Sequence, residues 1–575
     1  MELSILFVMA IILLRGFILE GYLISTGSMA PGLLGLHKRI SCPSCGYSFA
    51  FGVTFDESTE QVEDDGLSDR YATCPNCGQT NINVHAVPVN HGDQLLVHKG
   101  TFDFRAPRRW ETVVFRNPAS PGEAYVKRIT GLPGETLRIV DGDLFVNGSI
   151  ARKDLATMRD MRIPVFDPAH TSDADEWQLP WQTDSGWVFS DGHFRCDCRT
   201  DISDVPGGNS LSATDSESGA CWLKFHYWRW AGGSHVCEAP VIGDPQDAVE
   251  ADWLQIREQL KSRPAAWATL LDFDTDRQVL RLRGVMPYQM QQDLLAWAAT
   301  DSLRNAVYRL GATSHLCPVT DRYGYNSLVS SPELPIHDLM IDVQAAWSDD
   351  SAPERIFVRM PLKSNTWLLI LDIAHQSAAL IDSETRSVVR KHSFTLPSSG
   401  TAHKLRIEMS NFDRRITVAV NGHQLFEPVD VEFCVRQAED ERISDGSADF
   451  SVSSDVVLRT AERVTQQNRL AVGVSGGEVT LESLQLFRDV HYTPGRRRHA
   501  VDESYTVPEG QYFVQGDNSP VSSDSRNWPD AGVPHHLLVG KPFIVHLPSR
   551  PGRVTLGGVQ LPIRLPDFGR IRRIH

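Results

Sequence analysis

The start of the chain constrains its fold more than any other segment. Leu3 to Leu14 is an apolar run without a charge, and beyond Arg15 mostly apolar residues, interrupted by Glu20, continue to Ile24. A helix over the run alone would span only about 18 Å, short of a hydrocarbon core about 30 Å thick. A helix extended to Ile24 is long enough if Arg15 reaches the interface. We therefore predict a transmembrane anchor over residues 1–24.

Two alternatives stay open for this segment. A cleavable signal peptide needs a basic start and a cleavage site of small residues, and the sequence shows neither. A helix buried in a soluble core is the other alternative. Because no Lys or Arg precedes the apolar run, charge counting leaves the orientation of an anchor open.

Length and charge limit the number of packing units and the kinds of partner that we expect for this chain. A chain of 575 residues is expected to form roughly two to four packing units. Its formal net charge is −16, and binding to phosphate backbones requires clustered Lys and Arg. We therefore expect no nucleic-acid partner.

Three motifs, far apart in the chain, carry residues suited to nucleophilic catalysis. Segment 24–31 places Ser28 after a glycine, directly beyond the predicted anchor. Lys127 lies in an apolar strand that leads into the Pro-Gly turn of residues 131–135, and segment 516–526 carries Gly-Asp-Asn followed by Ser-Ser-Asp-Ser-Arg. A serine hydroxyl needs a base to become a nucleophile, and lysine is a base only when burial keeps it neutral.

The order of these motifs resembles that of the type I signal peptidases. That family carries Ser-Gly-Ser-Met beside the anchor, Lys-Arg before Gly-Leu-Pro-Gly, and Gly-Asp-Asn before Ser-x-Asp-Ser-Arg. The resemblance implies that Ser28 is the nucleophile and Lys127 the general base. It also implies an oxyanion hole made by the Ser28 backbone N–H and the hydroxyl of Thr26, which stands where many relatives carry serine.

The resemblance implies three further supporting residues. Ser522 would orient the Lys127 ammonium, and Asp524 and Arg526 would form an ion pair. The chain departs from the family after Asn518, where relatives often carry arginine and Ser519-Pro520 stands here. We assign Ser519 no role.

The function implied is that of a serine endopeptidase that removes signal peptides from exported preproteins through an acyl-enzyme, with no catalytic cofactor. Its partners would be preprotein signal peptides and membrane lipid. Its location would be the plasma membrane, with a single span and an extracytoplasmic catalytic domain. Two other hypotheses are a self-cleaving repressor, which the apolar start disfavours, and an inactive membrane-tethered module that binds glycans or proteins.

Two Cys-x-x-Cys pairs interrupt the peptidase motifs. Cys42 and Cys45 form the first pair, Cys74 and Cys77 the second, and a glycine follows each. Short pairs of this kind bring four thiolates to one tetrahedral metal, so we predict a structural zinc ribbon over residues 38–87. Two disulfides are the alternative in an oxidising compartment.

A second insertion, residues 156–495, contains frequent strand-like segments between turn signals, as in 338–343, 366–372 and 415–423. This pattern indicates an antiparallel β-sandwich that resembles the concanavalin or laminin-G jelly rolls. Such modules bind glycans or proteins, and a spacer or substrate-gating role is equally open. The aromatic stretch 225–230 suits either a binding face or a core. Six further cysteines suit disulfides of unknown pairing: Cys196, Cys198, Cys221, Cys237, Cys317 and Cys434.

The sequence thus predicts a mainly β protein with a signal-peptidase core and two insertions. The predicted units are a transmembrane anchor (1–24), a first core segment with the nucleophile (25–37), the zinc ribbon (38–87), a second core segment with the base (88–155), the β-sandwich (156–495) and a third core segment (496–575).

Overall fold

The computed structural model describes residues 18–574 except for a set of internal ranges. The residues left out are 54, 57–60, 63–70, 80–81, 174–176, 184–185, 200–218, 226–235, 285, 315–318, 327–333, 363–364, 397–401, 432–469, 547–548 and 557–558.

An eight-stranded antiparallel sheet, here called the core sheet, joins distant parts of the chain. Its strands alternate apolar and polar residues, and its apolar side chains are fully buried, as at Leu95, Val97 and Val114. In spatial order the strands are Leu19–Leu23, Gln94–His98, Leu538–Val545, Thr112–Asn117, Ser120–Gly131, Gln511–Gln515 and Gly532–Pro534, and Arg572–Arg573 pairs with Leu538–Val545.

A four-stranded sheet packs beside the core sheet. Leu137, Val507 and Phe513 are fully buried between them. A turn at Asp141-Gly142 closes its central hairpin. Its strands in order are Ser149–Ile150, Asp143–Val146, Thr136–Val140 and Tyr505–Thr506.

The two cysteine pairs lie in a small β module with its own apolar cluster, which includes Phe51 and Val84. A three-stranded sheet carries the first pair, and two short hairpins complete the module. The strands are Ser48–Gly52, His37–Ser41 and Val89–Asn90 in the sheet, and Phe55–Asp56 with Gln61–Val62 and Tyr71–Ala72 with Ile82–Asn83 in the hairpins.

Most of the second insertion forms two antiparallel sheets that share one apolar core, as in a β-sandwich. Val343, Leu369 and Ile407 are among the side chains fully buried in that core. The first sheet contains Trp187–Ser190, His193–Asp197, Glu478–Arg488, Leu339–Ser348, Ala402–Ser410, Arg415–Val420 and His423–Gln424, with Ile163–Phe166 and Val429–Asp430 at its margins. The second contains Trp181–Thr183, Cys221–Phe225, Ala471–Ser475, Arg355–Leu362, Asn365–Asp372, Ser377–Asp382 and Ser387–Ser393.

Residues 236–314 form a separate α/β unit, here called the helical module. The strand pattern predicted one sandwich over the whole of 156–495, and this unit is the exception. It buries Met290, Leu282 and Leu310 in its own core. Its helices are Gln246–Leu260, Ala265–Leu270, Tyr288–Trp297 and Asp301–Thr313, and its strands are Val236–Pro240, Leu271–Asp274 and Val279–Arg283. Outside these units lie helices Thr101–Phe104 and Leu155–Met161 and the hairpin Ser549–Leu556 with Val559–Pro566.

The beginning of the chain departs from the prediction. Residues 1–17 of the predicted anchor lie outside the described part, and Leu19–Leu23 forms an edge strand paired with Gln94–His98. Tertiary pairing overrides the apolar pattern here, so the helix predicted as far as Ile24 is wrong over these five residues. Within the residues that the structure describes, no helix is both long and apolar enough to span a bilayer.

The other features of the second insertion resolve in part. Phe225 belongs to the sandwich core, and the rest of the aromatic stretch lies outside the described residues. Cys317 and Cys434 also lie outside them. The other four cysteines of the insertion are thiols, without a disulfide: Cys196, Cys198, Cys221 and Cys237.

Candidate active site

Ser28 lies in a turn that is tied to the core sheet through Asp93. The Ile24 N–H donates to the Asp93 carbonyl at 3.0 Å, and the Leu34 N–H donates to the Asp93 carboxylate at 2.9 Å. Within the turn, the Ala30 N–H donates to the Gly27 carbonyl at 3.0 Å. The backbone around Ser28 is therefore held at both ends of the turn.

Lys127 lies on the long strand Ser120–Gly131, an internal strand of the core sheet. Val113 stands opposite it on one side, and on the other side the neighbouring Arg128 pairs with Gln515. Internal strands leave little room for water at their inward-facing positions. The strand thus carries the Lys127 side chain into the interior, where it is 3% exposed.

The two residues predicted as nucleophile and base meet. The Lys127 ammonium nitrogen is hydrogen-bonded to the Ser28 Oγ, although the residues are 99 positions apart in the chain. Burial lowers the pKa of Lys127 from its usual value to about 8, because desolvation disfavours the charged amine. Ser28 is also buried, at 7% exposure. An amine with this pKa is partly neutral near neutral pH and lies within reach of the serine proton.

Asp524 and Arg526 form a fully buried ion pair beside Lys127. The Arg526 guanidinium donates to both carboxylate oxygens of Asp524, at 2.9 and 2.6 Å. Burial raises the pKa of Asp524, but the adjacent Arg526 outweighs it, so the net shift is downward and the carboxylate stays charged. Asp524 raises the pKa of Lys127 and Arg526 lowers it. The two effects oppose each other, so burial remains the main cause of the low pKa of Lys127.

Thr26 and Ser522, the two residues predicted to act through their hydroxyl groups, lie in different surroundings. The Thr26 Oγ1 lies 3.4 Å from the Ser28 Oγ on an exposed residue, so it borders the open side of the site. The Ser522 Oγ is buried, and among the described residues it makes no hydrogen bond to Lys127. Ser522 instead packs against Gly516.

Gly516 allows the C-terminal motif to approach Ser28. A Cβ at this position would lie 2.4 Å from the Ser28 carbonyl oxygen and 2.3 Å from the Ser522 Oγ. Real side chains do not make such contacts, so only glycine fits without a shift of the backbone. The Gly516 N–H donates to the Asp524 carboxylate at 3.0 Å.

The structure adds residues to which the motifs alone gave no role. The Asn518 N–H donates to the Ser28 carbonyl, and the Asn518 side-chain amide donates to the Gly27 carbonyl, each at 3.0 Å. Asp517 pairs with the buried Arg128. Asp517 and Asn518 are the second and third residues of the Gly-Asp-Asn motif, and this motif was the sequence signal that could have identified them.

The four cysteines of the β module gather as predicted. Their sulfurs lie within 4.8 Å of one another, and all four side chains are buried thiols. Sγ–Sγ distances are 3.6 Å for Cys42 and Cys77, and 3.7 Å for Cys45 and Cys74. Four converging thiols without disulfides match the donor set of a closed tetrahedral metal site, so the cluster could bind a metal ion.

Comparison with known proteins relates two stretches of the chain to a family. Residues 83–194 and 436–547 match the family model described as "Signal peptidase, peptidase S26". These segments include Lys127 and the ion pair Asp524–Arg526, whereas Ser28 precedes them. The match supports a peptidase.

Individual relatives agree with this match over short stretches. The chain is 34% identical to signal peptidase I of Pseudomonas aeruginosa over 17% of its length and 36% of the relative. It is 41% identical to signal peptidase I of Leptolyngbya laminosa over 10% of its length and 31% of the relative. For signal peptidase I V of Bacillus subtilis the identity is 40%, over 10% of the chain and 33% of the relative. The chain thus spans about a third of the length of these relatives.

Among solved structures, the carbohydrate-binding module CBM66 of Bacillus subtilis is similar to 26% of the chain and 72% of that module, with 9% identity and a TM-score of 0.16. A likeness at this TM-score supports no functional conclusion for the sandwich.

Proposed function

We propose that this protein is a type I signal peptidase, a membrane-bound serine endopeptidase that removes signal peptides from exported preproteins. The observation that carries the proposal is the buried contact between Ser28 and Lys127. The family match over residues 83–194 and 436–547 supports the same reaction class. A lysine general base paired with a serine nucleophile is sufficient for peptide hydrolysis without a cofactor.

In the first step, neutral Lys127 would accept the proton of Ser28 while the Ser28 oxygen attacks the scissile carbonyl carbon. The oxyanion would be stabilised by the Ser28 N–H and the Thr26 hydroxyl, since Thr26 lies at the open border of the site. The protonated Lys127 would then donate its proton to the leaving amine, which breaks the peptide bond and leaves an acyl group on Ser28.

In the second step, Lys127, neutral again, would accept a proton from a water molecule that attacks the acyl carbon. Collapse of this intermediate would return the proton to the Ser28 oxygen and release the carboxyl end of the signal peptide. Burial of Lys127 serves both steps, because each begins with the neutral amine.

The ion pair Asp524–Arg526 would act as a support rather than as a reactant. Its two charges have opposite effects on the pKa of Lys127, and Asp524 also accepts the Gly516 N–H next to the nucleophile. We therefore assign the pair the role of shaping the pocket around the lysine. We assign Ser522 a packing role against Gly516 in place of the orienting role expected from the resemblance.

We further infer that Cys42, Cys45, Cys74 and Cys77 would hold a structural zinc ion. Four thiolates fill a tetrahedral shell and leave no open position for water or substrate. The metal would therefore stabilise the module and take no part in the hydrolysis.

The membrane anchor, the extracytoplasmic location of the site and the lipid contact belong to the proposal. Their basis is the apolar sequence of residues 3–14 together with the relatedness to signal peptidases. A glycan or protein partner for the β-sandwich stays a prediction from its sequence pattern.

The test is cleavage of a labelled preprotein by the full chain in detergent. Ser28→Ala and Lys127→Ala are each expected to lower kcat by about 1,000-fold or more, because the two residues act as one unit. Ser387→Ala and Lys391→Ala, on the exposed edge strand of the sandwich, are matched controls that should keep full activity. Cleavage that survives in both site variants would refute the Ser/Lys mechanism.

A further inference from the structure

A short segment of the second insertion reaches the turn around Ser28, residues 24–34, here called the nucleophile turn. Residues Tyr323–Asn326, here called the strut, lie between the helical module and the first long strand of the sandwich, Leu339–Ser348. The strut lies outside both segments that match the signal peptidase family. Its contacts nevertheless converge on the backbone around Ser28.

Asn326 is joined to Asn518 by two reciprocal hydrogen bonds. The Asn326 side-chain amide donates to the Asn518 Oδ1 at 2.9 Å, and the Asn518 amide donates to the Asn326 Oδ1 at 2.7 Å. The same Asn518 amide group donates to the Gly27 carbonyl, and the Asn518 backbone N–H donates to the Ser28 carbonyl. Asn326 therefore fixes the orientation of the side chain that holds the nucleophile turn.

Tyr325 packs against the same turn from the side. Its ring fills the space beside Gly27, where a Cβ would lie 2.1 Å from the Tyr325 Cε1. Its hydroxyl donates to the Leu36 carbonyl at 2.8 Å, and its carbonyl accepts the Gly52 N–H at 2.7 Å. The ring thus bridges the nucleophile turn and the β module that carries the four cysteines.

Contacts on two sides hold Tyr323, the first residue of the strut. The Tyr323 hydroxyl donates to the Asp517 carbonyl at 2.6 Å, and the Arg488 guanidinium lies 4.5 Å from the centre of the Tyr323 ring. Arg488 is a buried residue of the sandwich and donates to the Asp321 carbonyl at 3.1 Å. The sandwich therefore supplies a fixed support for the strut.

We propose that the strut completes the active site, with Asn326 as a positioning residue that keeps Ser28 aligned with Lys127. This inference rests on the proposed function. It assigns the second insertion a role inside the peptidase, in addition to any partner that its surface binds.

The physical reason lies in the hydrogen-bond partners of the Asn518 side chain. Without Asn326, one amide hydrogen and the carbonyl oxygen of the Asn518 side chain lose their partners in a half-buried site, and a rotated amide no longer faces Gly27. The Gly27 carbonyl, directly before Ser28, then loses its side-chain donor. A displacement of about 1 Å at a nucleophile lowers the rate by up to about 100-fold.

The experiment compares Asn326→Ala with Asn365→Ala in the full chain. Asn365 is a matched control, because it also makes two side-chain hydrogen bonds, to Asp382 and to the Thr366 N–H, within the sandwich. We expect Asn326→Ala to lower kcat by about tenfold or more with KM within about twofold, since alignment of Ser28 affects the chemical step. Asn365→Ala should leave both constants unchanged.

Amide hydrogen exchange of residues 24–36 supplies a second readout that needs no activity. It should become faster in Asn326→Ala and stay at the wild-type rate in Asn365→Ala, while the thermal unfolding midpoints of both variants stay alike. Unchanged exchange and unchanged kcat would overturn the positioning role even if Ser28→Ala abolishes cleavage. If the wild-type chain cleaves no preprotein, the proposed function fails, and the exchange result alone decides whether the strut holds the turn.

Discussion

The Arg128 guanidinium donates to both carboxylate oxygens of Asp517, at 2.8 and 2.7 Å, although the two residues are 389 positions apart. Both side chains are nearly fully buried, and Arg128 also donates to the Trp110 carbonyl at 2.6 Å. The pair joins the strand that carries Lys127 to the motif that holds the turn around Ser28.

Removing one partner of this pair should destabilise the core. Asp517→Ala removes the carboxylate that accepts two hydrogen bonds from the buried Arg128 and leaves the longer contact with Asp160 at 3.2 Å, so we expect a loss of up to about 3–5 kcal/mol of unfolding free energy. Chemical denaturation measures the loss. Arg116→Ala, at an exposed position on the neighbouring strand, should change stability by less than about 0.5 kcal/mol. Equal effects of the two variants would contradict the assignment.

The glycine of the C-terminal motif should not tolerate a methyl group. Gly516→Ala places a Cβ 2.4 Å from the Ser28 carbonyl oxygen, so the turn must shift, and we expect kcat to fall by about 100-fold. Gly122→Ala is the control, because a Cβ there meets no atom within 4 Å. Steady-state cleavage of a labelled peptide distinguishes them, and an active Gly516→Ala enzyme would show that the turn relaxes freely.

Gly27 and Tyr325 should be energetically coupled. Gly27→Ala forces a Cβ into the Tyr325 ring and should lower kcat by about 100-fold. Tyr325→Ala opens that space, so the double variant should regain at least about tenfold over Gly27→Ala alone. A double-mutant cycle on kcat measures the coupling. Losses that simply add would mean that the ring and the turn are independent.

The rate should depend on pH through Lys127. Only the neutral amine accepts the serine proton, so kcat/KM should rise about tenfold per pH unit below pH 8 and level off above it. Burial causes the low value, since it disfavours the ammonium form. A pH series with one substrate measures this limb. A limb near the ordinary lysine pKa would contradict the lowering by burial, and a flat profile would exclude Lys127 in its neutral form as the base.

Zinc content should depend on the cysteine cluster. Cys74→Ser removes one of four converging thiols and should lower the zinc bound per chain, measured by atomic emission after purification. Cys221→Ser, in the sandwich, should retain wild-type zinc. Chelation should unfold the β module that the metal stabilises. Full zinc retention in Cys74→Ser would refute the predicted ligand set.

Much of the site could be predicted because its residues form local motifs. Ser28, Lys127 and the Asp524–Arg526 pair each stand in a short pattern with recognisable chemistry, and the structure brings them together. The frequent strands of the second insertion likewise indicated its two sheets.

The rest depends on contacts that no local pattern encodes. Asn326 stands in no recognisable motif, and its importance comes from its contact with a residue 192 positions later. Leu19–Leu23 follows the apolar start of the chain and was included in the predicted helix, but pairing with Gln94–His98 makes it a strand. The helical module was not predicted as a separate unit, because the burial of its helices against three strands is a long-range property.

The core sheet has a consequence for synthesis on the ribosome. The strand Leu538–Val545 lies between Gln94–His98 and Thr112–Asn117, so the sheet stays open in its middle until residues 538–545 have been translated. Pairings this distant in sequence form slowly, since a long loop must close before they gain any stability. A growing polypeptide would therefore contain Ser28 and Lys127 well before the sheet that brings them together is complete, so any activity that depends on their contact would begin only after this closure.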